Sequence, residues 1–381
     1  MNKDASWSLR LVAFTIVSVL TFLLSIDMLG LGLGQFTGNT FLDITNATSN
    51  PFIGLFIGLL VTAILQSSST TTSLAVAAVA SGSITLENAI PMILGANVGT
   101  TITSTIVAFG YISKGNEFQR AVSGAMLHDM FNILGVLILF PIELNYHFLQ
   151  DFSFYISSYI PIGSAGGPSF WVGKAFDFVG ESILGLTGRI VFLIISVVLL
   201  FGSIKMLSQI LYKNLVGRRQ AQFQNVVFKN PLRSFGWGLA MTAVVQSSSL
   251  TTSLIVPLVA TGKVKLAKSF HFIMGANIGT TITAILAALF RSEAAMSLAI
   301  AHFLFNACTT IIYVSIPPVG KIPVFFAEKL GVVMARYRVS AFIYITLAFF
   351  AIPFTLIYFS QPDKSSKQET KIEEVKKIAE P

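Results

Sequence analysis

Two polar cassettes occur twice in this chain, 180 residues apart, inside sequence apolar enough for a lipid bilayer. Gln66-Ser67-Ser68-Ser69 returns as Gln246-Ser247-Ser248-Ser249. Gly95-Ala96-Asn97-Val98-Gly99-Thr100-Thr101-Ile102-Thr103 returns as Gly275-Ala276-Asn277-Ile278-Gly279-Thr280-Thr281-Ile282-Thr283. Aligned without gaps, residues 50–109 match residues 230–289 at 29 of 60 positions, which chance cannot supply. A polar run in hydrocarbon is costly unless it is buried and satisfied. Duplicated polar runs in a membrane chain therefore point to a transporter whose two related halves hold the substrate where they meet.

The membrane assignment rests on composition. Of 381 residues, 54% are hydrophobic and 11% are charged, against about 25% charged in soluble domains. Apolar stretches at 11–33, 189–211 and 339–359 are each long enough to cross about 30 Å of hydrocarbon. The first lacks a small-residue cleavage site and is expected to be retained. One cysteine, Cys308, rules out an intramolecular disulfide and fits a small buried apolar residue. The net charge of +8 sits in short loops and is no nucleic-acid footprint. Its densest cluster, Lys213, Arg218, Arg219, Lys229 and Arg233, predicts a cytoplasmic basic loop over 213–233 of a multi-pass plasma (inner) membrane protein. The acid-rich segment 143–181 then lies on the outer face.

The expected organisation is an N-terminal span and connector (1–49), a first transport repeat (50–140), an outer connecting segment (141–187), a scaffold span with basic loop (188–229), a second transport repeat (230–318), a C-terminal membrane segment (319–360) and a solvated charged tail (361–381). The outer segment, with Pro161, Gly163, Gly166, Gly167 and Pro168, reads as loop with a short interfacial helix. The fold class is all-α and polytopic, with two inverted-topology repeats, re-entrant helical hairpins and unwound helices at the midplane.

The hairpins follow from lengths. Residues 66–73 hold seven hydroxyls and one amide. The apolar stretch before them, 52–65, is half a span long, so the Gln-Ser-Ser-Ser run belongs at a hairpin tip, with Pro257 as an added breaker in the second copy. In the Gly-Ala-Asn-x-Gly-Thr-Thr cassette, two glycines flanking an Asn allow unwinding. Freed carbonyls suit Na⁺, and the following half-helix offers N–H groups and a positive dipole end to an anion. Gly95 and Gly99 also fit a small-xxx-small packing pattern. Asn97 and the trailing threonines favour unwinding over packing. Neither cassette holds Arg or Lys, so an anion there needs co-bound cations, and cation coupling follows. Hydroxyls that merely bond back to their own helix are the bland alternative, weakened here by duplication. His128, Asn132, His302 and Asn306 lie within a turn of one another in each copy and are read as supporting polar residues. Asp129 has no duplicate, Phe303 standing in its place. An acid inside a span is functional by default, so it is expected to serve an extra cation.

These motifs together resemble the type II sodium–phosphate cotransporter family in a compact bacterial form. The resemblance covers roughly 50–318 and includes the paired Gln-Ser-Ser-Ser runs, Gly-Ala-Asn-Val-Gly-Thr-Thr and the His-Asp-x-Phe-Asn core. It implies Na⁺-driven import of inorganic phosphate by alternating access in an elevator-like architecture, with Na⁺ as coupling ion, no organic cofactor, membrane lipid as surroundings and a homodimer. By position it implies phosphate binding by Ser67, Ser68, Ser69, Thr70, Ser247, Ser248 and Ser249. It implies Na⁺ binding by Gln66, Asn97, Thr100, Thr101, Asp129, Gln246, Thr251, Asn277 and Thr280. An acid at the place of Asp129 goes with electrogenic transport in that family. Leu250, where the first copy has Thr70, makes the cassettes unequal.

Other readings are a symporter for sulfate or a dicarboxylate, a passive channel and, from another class, an intramembrane hydrolase using Ser, His and Asp. A dicarboxylate usually calls for a cationic partner that the cassettes lack. A channel would take up solute without an ion gradient. A triad needs one nucleophile rather than two matched sets of serines.

Overall fold

The computed structural model describes residues 3–34, 48–160, 168–215, 226–289 and 291–359, and every element among them is helical. The connector beyond Gly34, the 161–167 stretch, the middle of the basic loop (216–225) and the charged tail lie outside the described residues. Among the described residues, six helices are long and apolar enough to cross a membrane: Phe14–Leu33, Leu86–Phe109, Asn116–Tyr146, Leu266–Ala288, Glu293–Ser315 and Arg338–Phe359.

Two matching runs of helices carry the cassettes. The first is α2 (Pro51–Leu65), α3 (Ser68–Ala80), α4 (Leu86–Gly99), α5 (Ile102–Phe109) and α6 (Asn116–Tyr146), after α1 (Lys3–Gly34). The connecting segment forms α7 (Phe148–Ser157), α8 (Pro168–Thr187) and α9 (Arg189–Leu215). The second run is α10 (Pro231–Val245), α11 (Ser248–Ser253), α12 (Ile255–Ala260), α13 (Leu266–Ala288) and α14 (Glu293–Ser315). It is followed by α15 (Pro317–Arg336), α16 (Arg338–Ile345), a π-helical turn Thr346–Ala351 and α17 (Ile352–Phe359). The outer segment is thus more helical than a loop-like reading allows. Pro168 opens the 20-residue α8, where its missing N–H costs nothing.

Local chemistry sets the ends. Asn50 and Asn230 accept from Phe52 N and Arg233 N at 2.9 and 2.8 Å, and a proline follows each at the first helical position. At 15 residues each, α2 and α10 are about 22 Å long, short of a span. The second cassette's helix breaks at Leu254. Pro257 has no N–H to bond Ser253, and the helix gives way just before it.

One expectation is corrected. The Gly-Ala-Asn-x-Gly cassettes are not unwound. α13 runs unbroken through Gly275 and Gly279, and α4 stays helical to Gly99, with only Thr100 and Thr101 separating it from α5. The glycines serve contact instead. A Cβ on Gly95 would lie 1.8 Å from the Leu55 carbonyl oxygen, and one on Gly275 2.0 Å from that of Phe235. Gly58 and Gly238 complete the two crossings, their Cβ positions falling 1.9 and 2.0 Å from the carbonyl oxygens of Met92 and Phe272. Backbone therefore meets backbone where α2 crosses α4 and where α10 crosses α13, the close approach that small-xxx-small spacing permits. The real break lies at the Gln-Ser junctions.

Candidate functional site

Each short helix ends in a residue that resists its own conformation. Gln66 (φ 52°) and Gln246 (φ 53°) are left-handed, which costs a non-glycine residue about 1–2 kcal/mol. Such outliers persist where the surroundings over-determine them, often at functional sites. The next residues, Ser67 and Ser247, are extended (φ −149° and −144°) and cap the following helices. Their Oγ atoms accept from Thr70 N and Leu250 N, both at 3.3 Å.

The two turns meet. Ser68 Oγ lies 3.4 Å from Ser248 Oγ, and Ser69 Oγ donates to the Gln246 carbonyl at 2.8 Å. One helix turn away Ser104 Oγ is 3.3 Å from Thr252 Oγ1. Two helix starts, one from each copy, thus converge on one buried point. Unbonded N–H groups and the positive dipole end make a helix start a ready anion cradle. Ser249 and Thr70 are buried nearby, whereas Leu250 is 37% exposed. The glutamines differ. Gln66 is exposed, but Gln246 is buried with Oε1 unpaired.

The asparagines are held crosswise. His302 Nε2 bonds Asn97 Oδ1 at 3.2 Å, and His128 Nε2 bonds Asn277 Oδ1 at 3.3 Å. Each histidine therefore reaches the asparagine of the other copy. Asn306 Nδ2 adds a contact to Asn97 Oδ1 at 3.4 Å, and Asn132 Nδ2 turns back to the His128 carbonyl at 3.3 Å. Both asparagines donate Nδ2 to their own helix, at Ile93 O and Ile273 O. Their Oδ1 atoms are the groups a cation would use, and these already accept from imidazole. This fixes the tautomer, with the proton on Nε2. Neither histidine is within hydrogen-bonding distance of a serine hydroxyl.

The threonines spend their protons on backbone. Thr100, Thr101, Thr251 and Thr280 donate to Ala96 O, Val98 O, Ser247 O and Ala276 O at 2.8, 2.9, 2.9 and 3.1 Å. A hydroxyl bonded this way presents only lone pairs outward, which suits a hard cation such as Na⁺.

Asp129 is fully buried on α6. Tyr344 of α16 donates to its Oδ2 at 2.7 Å. The Thr101 hydroxyl lies beside the same carboxyl, but its one proton goes to Val98 O, so Oδ1 is left unpaired. Sequence reasoning missed Tyr344. The available signal was a phenol in the middle of a largely apolar span, since a buried phenol seeks a partner. It also passed over Asp27, an acid in the first apolar stretch, which pairs with Arg291 at 2.6 Å.

The family model described as Na⁺/Pi-cotransporter matches residues 21–187 and 198–354. The chain is 30% identical over 420 residues to sodium-dependent phosphate transport protein 2B of Homo sapiens, covering 85% of this chain and 60% of that protein. It is 30% identical over 417 residues to sodium-dependent phosphate transport protein 2A of Ovis aries, covering 87% of this chain and 65% of the other. The 2A protein of Rattus norvegicus matches at 30% over 415 residues, with 87% and 65% covered. The chain therefore spans somewhat less than two thirds of the length of these relatives. No solved structure matches it.

Proposed function

This chain belongs to the Na⁺/Pi-cotransporter family, and from that premise we propose that it is a sodium-coupled secondary transporter importing inorganic phosphate by alternating access. The observation that carries the reading is the meeting of Ser68 and Ser248, 3.4 Å apart, at the starts of two helices from the two copies. One phosphate oxygen can accept from both hydroxyls at ordinary hydrogen-bond length. Ser67, Thr70, Ser247, Ser249 and the uncapped first backbone N–H groups of α3 and of Ser248–Ala260 take the remaining oxygens, joined by Ser69 once its proton leaves the Gln246 carbonyl. No Lys or Arg belongs to either cassette. The anion's charge is met by helix ends and by Na⁺ held on threonine lone pairs, the oxygens of Asn97 and Asn277, and Gln246. Gln66 contributes once its exposed side chain folds inward. Bound Na⁺ and bound phosphate each lower the electrostatic cost of the other, which is what couples their movement.

Because the site is shared by both copies, parting them opens it. The left-handed turns at Gln66 and Gln246 make re-entrant tips of α2–α3 and α10–α12, and the two copies run in opposite senses across a plasma membrane with the basic loop 213–233 in the cytoplasm. Asp129 adds a negative charge with one free oxygen, so a cation held there carries charge beyond that balancing phosphate, and transport is electrogenic. Proteoliposomes given an inward Na⁺ gradient should accumulate radiolabelled phosphate, with a K⁺ gradient as control. Equal uptake in both would remove the coupling, and sulfate competing as well as arsenate would shift the substrate.

A further inference from the structure

We infer that Tyr344 is a positioning residue for the Asp129 carboxylate, so that the C-terminal span, outside both copies, sets the strength of the cation site. The inference rests on the reading of Asp129 as a cation ligand and adds the group that aims it.

Asp129 sits where full compensation is scarce. It is 0% exposed, and a carboxylate within a membrane needs partners from protein. The hydrogen bond it receives from Tyr344 is short, 2.7 Å, as expected when the acceptor is charged. That bond engages Oδ2 alone. Oδ1 has no partner, and the Thr101 hydroxyl lies beside the carboxyl with its proton spent on Val98 O. A carboxylate can turn about its last torsion, which is broad and roughly two-fold. Pinning Oδ2 stops that turn. Oδ1 is then held open toward a cation, with the Thr101 hydroxyl beside the carboxyl as a further hard oxygen, and Tyr344 determines that it stays so.

The phenol is itself held in place. The span Arg338–Phe359 is mostly exposed, with 11% of its apolar window buried, yet it sends this hydroxyl inward. Two neighbours on the same span lock it. Phe349 packs edge-on against the Tyr344 ring at 6.0 Å and 85°, and Phe342 stacks on Phe109 of α5 at 4.5 Å and 16°. The π-helical turn Thr346–Ala351 begins two residues after Tyr344 and ends two residues before Pro353. A wider turn of this kind absorbs the N–H that proline lacks, and such turns recur at functional sites. Tyr344 also packs against both apolar clusters, the one around α1 to α4 and α14 and the one around α6, α12 and α13. It stands at their seam, where a shift of one cluster against the other would move the hydroxyl relative to the carboxylate.

The test is Na⁺ activation of phosphate uptake in proteoliposomes at clamped potential for the wild type, Tyr344→Phe, Asp129→Asn and the double variant. Tyr344→Phe should raise the Na⁺ concentration for half-activation roughly tenfold, the lower end for losing a hydrogen bond to a charged group. The phosphate KM at saturating Na⁺ should stay within twofold. In the Asp129→Asn background the same change should move nothing further. A thermal-unfolding series in NaCl against KCl gives a second readout: the Na⁺-specific rise in Tm should shrink in Tyr344→Phe. Unaltered half-activation in Tyr344→Phe, or an equal shift with and without the Asp129 carboxylate, overturns the inference while the transport reading stands. Wild-type uptake indifferent to Na⁺ overturns the transport reading and this inference with it.

Discussion

Replacing Gly95 by alanine separates two accounts of the duplicated glycines. If the cassette unwound to bind an ion, a methyl group would cost little stability and act on the site alone. The structure instead puts that methyl 1.8 Å from Leu55 O and 2.9 Å from Leu59 N. Ordinary contact begins near 3.4 Å, so α2 and α4 must part by about 1.6 Å, and both offending atoms are backbone that no rotamer change can clear. Overpacking of this kind costs about 1–3 kcal/mol, toward the upper end when backbone must move. Alanine returns up to about 1 kcal/mol of helix propensity, leaving a loss of about 2 kcal/mol. Over 381 residues, at about 2.1 cal/mol/K of unfolding entropy per residue, that corresponds to a fall in Tm of roughly 2–3 °C. The assay is thermal unfolding in detergent, with Gly185→Ala as reference because nothing lies within 4 Å of a Cβ there. Gly275→Ala should behave like Gly95→Ala, since its methyl would meet Phe235 O at 2.0 Å. Gly95→Ala as stable as Gly185→Ala would refute the packing account.

Ser68→Ala and Ser248→Ala should each lower phosphate transport at least tenfold with normal folding by size-exclusion profile, and normal uptake in both would remove the shared anion site. Asp129→Gly should lower the charge moved per phosphate, measured as current against radiolabel; an unchanged ratio takes Asp129 out of the cation site. His128→Gln keeps a donor for Asn277 Oδ1 and should retain most Na⁺ activation, whereas His128→Ala should lose it; equal behaviour of the two would show that the crossed bond does not matter. Arg291→Ala strands Asp27, whose side chain is 4% exposed, and should cost about 3–5 kcal/mol, read as a lower Tm that Asp27→Asn partly restores.

Much of this site could be read before any coordinates. The duplication located both cassettes, and the half-span length of the apolar run before each Gln-Ser-Ser-Ser put a break at the right junction. The glycine cassettes were misjudged because small-xxx-small spacing is the same whether a helix unwinds or packs, and only the partner helix decides. The crossing of His128 to Asn277 and His302 to Asn97 was out of reach, because a repeat shows which residues are equivalent and not which copy each one faces. Tyr344 escaped for a related reason. A tyrosine in an apolar span usually marks an interface, and its acid lies 215 residues away. Asp27 could have been flagged on the rule that singled out Asp129, and its ion pair with Arg291 ties α1 to the turn between α13 and α14 of the second copy.

The most direct test of a phosphate site shared by both copies is disulfide trapping across the Ser68–Ser248 contact. Ser68→Cys with Ser248→Cys, in a chain where Cys308→Ala removes the one native thiol, should cross-link under mild oxidation, because hydroxyls 3.4 Å apart place the pair within reach of disulfide geometry. A thiol keeps a weak donor at each position, so phosphate with Na⁺, supplied well above the concentration that saturates the wild type, should slow the reaction several-fold, and phosphate with K⁺ or sulfate with Na⁺ should leave it unchanged. Cross-linking at one rate under all three conditions, or none at all, would contradict a Na⁺-dependent phosphate site between the two serine turns.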